Sequence, residues 1–95
     1  MKLTKVSAQN WQISGELNRS TLPAIWSELN QFAAAQIELD LAAVERTDSA
    51  GLAGLVKLKL NATKQQKKIT YRNANQQLQA LAAMSNVAQI VRFDE

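Results

Sequence analysis

The chain has 95 residues, 46% hydrophobic and 20% charged, with a formal net charge of +3. That size and balance fit one globular domain over residues 1–95 with a modest core. The absence of cysteine and histidine removes disulfides, thiolate chemistry, and the commonest general base and metal ligand.

Met1 to Ser7 can form a short strand, and Ala8-Gln9-Asn10 a turn. Trp11, Ile13, Gly15 and Leu17 then alternate with Gln12, Ser14 and Glu16, the pattern of a half-buried strand. Together they predict an antiparallel hairpin. A helix follows from about Thr21 to Ala35, with Ser20 or Thr21 as its cap and Pro23 in its first turn. Leu22, Ile25, Trp26, Leu29, Phe32 and Ala33 form one apolar stripe along it, which makes Trp26 a core residue.

Ile37-Glu38-Leu39-Asp40-Leu41 alternates again and predicts a third strand. Asp48 and Ser49 then stand where a helix begins, with side chains able to accept hydrogen bonds from its unpaired N–H groups. That helix runs to about Lys64, and Gly51 lets its first turn approach a neighbouring backbone. Its apolar arc is wide: Leu52, Val56 and Leu60 point one way, Leu55, Leu58 and Ala62 lie to one side, and Lys59 falls inside. The excess width fits deep burial between neighbours or a second surface for a partner, and Lys59 favours the partner or a side chain that snorkels to solvent.

Ile69 to Arg72 is a fourth strand by composition. A third helix spans about Asn75 to Met84, with Asn75 as cap, and Ile90 to Phe93 reads as a last edge strand. The order β-β-α-β-α-β-α, with a final β, predicts an α/β fold: a mostly parallel sheet of four to five strands carrying about three helices.

The chemistry available is narrow. Asp48 beside Ser49 has no histidine to act as the base that a nucleophilic serine requires, and the sequence sets no lysine near Ser49 to replace it. Gly51 and Gly54 do not have the spacing of a phosphate-binding loop. Asp40 and Asp48 give no supported acid–base pair, so the chain is expected not to be an enzyme and to need no cofactor or metal. The net positive charge rests mainly on Lys57, Lys59, Lys64, Lys67, Lys68 and Arg72. Lys64 to Lys68 reads as a solvated helix end, and no basic stripe interleaved with aromatics points to nucleic acid. No apolar run is long enough for a membrane span, and the start of the chain lacks a hydrophobic leader core, so a cytoplasmic location is expected.

Gly15-Glu16-Leu17 ending the second strand, Asp48-Ser49-Ala50-Gly51-Leu52 opening the second helix, and the element order together resemble the STAS domain family. The resemblance covers nearly the whole chain. In anti-sigma factor antagonists of that family the corner carries two hydroxyl residues, and a partner kinase phosphorylates the second. Here that second position is Ala50, and Asn18 replaces the acidic residue after the Glu-Leu pair. The chain is more similar to the small stand-alone STAS subunit of the bacterial Mla phospholipid ABC transporter. This resemblance implies a non-catalytic role in outer-membrane lipid asymmetry, with binding to the ATPase subunit at the inner face of the inner membrane. It implies partner contact at Thr47, Asp48, Ser49, Ala50, Gly51, Leu52 and Leu55, with Ser49 as key contact or phosphorylation site. The alternative is an anti-sigma factor antagonist switched by serine phosphorylation.

Overall fold

The computed structural model describes residues 1–93. Its strands are β1 (Lys2–Lys5), β2 (Asn10–Leu17), β3 (Gln36–Thr47) and β4 (Lys68–Arg72). Its helices are α1 (Pro23–Leu29), α2 (Ser49–Lys64), α3 (Gln76–Met84) and α4 (Ala88–Val91). The strands form one sheet in the order β1-β2-β3-β4. The hairpin β1–β2 is antiparallel, while β2–β3 and β3–β4 are parallel, as the helical connections require.

Alternation builds the core. Trp11, Ile13 and Leu17 of β2, Ile37, Leu39 and Leu41 of β3, and Ile69 and Tyr71 of β4 are buried against Leu52, Leu55, Leu58 and Ala62 of α2, Leu78 and Ala82 of α3, and Val91 of α4. The alternate residues Gln12, Glu38 and Arg72 are exposed, and Arg72 pairs with Glu38 at 2.9 Å. Tyr71 has no exposed surface, and its phenol donates a 2.6 Å hydrogen bond to the Leu55 carbonyl in the middle of α2. Burial raises its pKa far above the ordinary tyrosine value, so the phenol stays a neutral donor. β2 is irregular against β3, with register shifts between Gln12 and Ser14 and between Gly15 and Leu17. Gly15 lies within this stretch at φ +98°, a conformation that favours glycine.

Three expectations need correction. The first helix is shorter than its apolar stripe: it ends at Leu29, and Phe32 is buried from the segment beyond it, stacked against Trp11. Asn30 stops the helix, donating from Nδ2 to the Trp26 carbonyl and accepting from Asn61 of α2 on Oδ1. No side chain caps its start; Thr21 instead bridges the loop, accepting from the Asn18 N–H and donating to the Glu16 carbonyl. Trp26 is half-buried at the core's margin.

The second correction is the length of β3, which continues past Leu41 to Thr47. The third is the last element, which is the short helix α4 and not an edge strand. α3 closes with a Schellman turn, in which Val87 N–H bonds the Ala82 carbonyl and Asn86 N–H bonds the Ala83 carbonyl, with Asn86 at φ 59°. That turn folds the chain back over the helix layer, where Val91 enters the core. Lys59 Nζ donates to the Val91 carbonyl at 2.9 Å and lies 5.6 Å from the Tyr71 ring centre. The lysine inside the apolar arc of α2 is therefore engaged within the chain.

Candidate functional site

β3 delivers the chain to the corner. Leu17 and Thr47 are register partners, and the Asp48 N–H reaches back to the Leu17 carbonyl at 3.3 Å. Asp48 is extended, with φ −105° and ψ 179°, and its Oδ1 accepts the Gly51 N–H at 2.8 Å. This is an N-cap: it satisfies a donor the helix cannot pair internally and sets a carboxylate at the positive end of the helix dipole. Gly51 faces β2 so closely that a Cβ there would strike the Leu17 carbonyl oxygen. Glycine is thus required for contact between helix and strand.

β4 ends at Arg72, so β3 has no backbone neighbour on that side beyond Asp40. Two amide side chains from the start of α3 take its place. Asn75 Nδ2 donates to the Val44 carbonyl at 3.3 Å, and Gln77 Oε1 accepts the Thr47 N–H at 3.1 Å. Asn75 also caps α3, accepting the Leu78 N–H at 2.9 Å. The roles of Gln77, and of Asn75 beyond its cap, were not readable along the sequence, because both partners lie some thirty residues away.

The seven expected site residues therefore divide into two layers. Asp48 and Ser49 are exposed and Ala50 is half-exposed. Thr47 and Gly51 are buried beneath them. Leu52 and Leu55, expected to touch a partner, are 3% and 1% exposed and belong to the core. At 100° per residue they face the sheet, while Ser49, Ala53 and Leu60 fall on the outward side. Leu60 is 50% exposed, Ala53 exposed and Val56 half-buried. α2 therefore carries an exposed outward stripe separate from its core face.

Beside the corner lies a polar cavity of about 260 Å³ lined by Glu16, Asn18, Arg46, Thr47, Asp48 and Gln77. Asn18 is committed to its own turn, accepting from the Ser20 and Thr21 N–H groups. Among the described residues no group of three or more acidic, histidine or cysteine side chains could hold a metal ion. Also among them, no helix is long and apolar enough to cross a membrane. The corner offers a hydroxyl, a carboxylate and an apolar helix face: the means of recognition.

The comparisons with known proteins bear on the family and the fold. The sequence model of a family described as "Mlab, STAS domain" matches residues 4–92, and the chain belongs to that STAS family. STAS domains are protein-interaction modules and generally non-catalytic. A Thermotoga maritima protein described as a candidate anti-sigma factor antagonist shares the fold, with a TM-score of 0.74 and 19% identity over 95% of this chain and 81% of that one. The anti-sigma factor antagonist SpoIIAA, in its unphosphorylated form, aligns with a TM-score of 0.73 and 14% identity over 94% of this chain and 83% of its own. No curated protein sequence matches the chain.

Proposed function

We propose that this chain is the non-catalytic STAS subunit of a bacterial Mla-type phospholipid ABC transporter. It binds the ATPase subunit at the inner face of the inner membrane and supports assembly and activity of the transporter in outer-membrane lipid asymmetry. The observation that carries this reading is the match to the MlaB-type family over residues 4–92. Two features of the corner support it. The hydroxyl at the exposed helix start is single, with Ala50 beside Ser49. The outward stripe Ser49, Ala53, Val56 and Leu60 is a small apolar face around a polar end, a composition able to anchor a protein contact. The anti-sigma factor antagonist reading has fold similarity behind it, but Ala50 removes that group's usual phosphoacceptor.

The test is co-purification from the native cell, scored for an ABC-type ATPase, comparing wild type with Ser49→Asp and Leu60→Asp. Both substitutions lie on the exposed side, and circular dichroism checks that each variant keeps the fold. Binding by wild type and its loss in both variants supports the reading. Capture of a serine kinase or sigma-factor regulator in place of the ATPase overturns it.

A further inference from the structure

The end of the sheet opposite the Asp48 corner has a different character. Three chain reversals meet there. The β1–β2 turn follows Lys5, which pairs with Trp11, and the Glu38 N–H bonds the Gln9 carbonyl at 2.7 Å. The segment entering β3 bonds the α2–β4 turn, Lys68 N–H to the Ala35 carbonyl at 2.8 Å. That last turn is a Schellman motif: Lys67 N–H bonds the Ala62 carbonyl, Gln66 N–H bonds the Thr63 carbonyl, and Gln66 sits at φ 60°. These backbone bonds hold Lys5, Lys64, Lys67 and Lys68 at one pole.

The charge of this pole is uncompensated by its own segments. Residues 5–10, 30–36 and 64–68 contain those four lysines and no acidic residue. From Ser49 to Phe93 the sequence has no acidic residue at all. Lys5, Lys64 and Lys68 are exposed and Lys67 half-buried, and the ion pair formed by a neighbour, Arg72 with Glu38, leaves all four outside it. Val6, at the tip of the hairpin, is 62% exposed. Cations in the last turn of α2 also complement its dipole, but that accounts for Lys64 alone and not for Lys5 or Val6.

We propose that this basal pole is a contact surface for anionic phospholipid headgroups. Four lysines suit the smeared charge of a lipid leaflet, which demands no fixed register. Lys5 ends β1 with its Nζ 4.3 Å from the Trp11 ring centre, Lys64 ends α2, Lys67 lies on the turn and Lys68 opens β4. An apolar side chain at the tip suits the boundary between headgroups and acyl chains. A protein or nucleic-acid partner would be expected to show a shaped complement, such as bidentate arginines or a groove-reading element, and the pole is built from lysines at element ends and on one turn. α2 spans about 24 Å, so the pole and the Asp48 corner can be engaged together. The inference stands on charge and topology and does not rest on the transporter reading, since the purified chain alone tests it.

The experiment is co-sedimentation of the purified chain with vesicles of phosphatidylcholine, with and without phosphatidylglycerol, at low salt. Binding is expected only to the anionic vesicles, and it disappears near 1 M salt, where the Debye length falls to about 3 Å. Lys64→Gln with Lys68→Gln lowers partitioning about 25-fold, at about fivefold per lysine. Lys2→Gln with Arg19→Gln removes the same charge away from the pole and leaves binding within about twofold of wild type. Absence of binding to anionic vesicles overturns the proposal, as does an equal loss in both double variants. Binding to a short DNA duplex in preference to vesicles also overturns it, making the pole a nucleic-acid surface.

Discussion

The two ends of the sheet are closed by different means. At the basal pole, main-chain hydrogen bonds join the turns: Lys68 to Ala35, Glu38 to Gln9, and the Schellman pair at Lys67 and Gln66. At the corner, side chains do the same work: Asp48 for the start of α2, and Asn75 and Gln77 for the half of β3 that β4 does not reach. Main-chain closure tolerates changes of side chain, provided the backbone angles are kept. Side-chain closure does not, because each bond depends on one residue's identity. The corner should therefore respond to substitution much more sharply than the pole.

This contrast can be broken or sharpened in steps, beginning with the core as a reference. Leu39→Ala, in the half of β3 flanked on both sides, is expected to cost about 2–5 kcal/mol in denaturant unfolding. Gly51→Ala should cost about 1–3 kcal/mol, since the added methyl group meets the Leu17 carbonyl and the helix must shift. Asn75→Ala removes an α3 cap and a donor to β3 together, for about 1–2 kcal/mol by thermal or chemical melts. Gln77→Leu should cost about 1 kcal/mol, with faster hydrogen exchange at the Thr47 amide and unchanged exchange in β1. At the pole, Lys64→Gln should change stability by no more than about 0.5 kcal/mol. If Gln77→Leu were equally silent, the contrast between side-chain and main-chain closure would fail.

Much of this was legible from pattern alone. Period-two alternation marked β2 and the first half of β3, sheet-favouring composition marked β4, and Asp48 and Asn75 announced their helices by the chemistry of their caps. What escaped depended on distant partners. Phe32 continues the apolar period of the first helix, yet Asn30, held by Trp26 and Asn61, turns the chain out of it. Ile90 to Phe93 has strand-forming residues, but the Asn86 turn and the bond from Lys59 to Val91 set it as a helix against the core. β3 past Leu41 loses its alternation at Ala42 and Ala43, beside the register shifts with β2, so its extension to Thr47 was hidden. At the site, the capping aspartate and exposed serine were readable. The burial of Leu52 and Leu55 was not, because the angular width of an apolar arc does not say which of its sides meets the sheet.

The amide substitution at β3 has a consequence for recognition. An unpaired strand edge invites any extended peptide to add itself by main-chain bonds, with little regard to sequence. Asn75 and Gln77 occupy the polar groups of Val44 and Thr47 beside the corner and withhold that generic handle. Under the proposed function, a partner at the corner is then read by side chains, through Ser49, Ala53 and Leu60. Since these positions lie outside the core, partner preference can drift by substitution there while the scaffold stays unchanged.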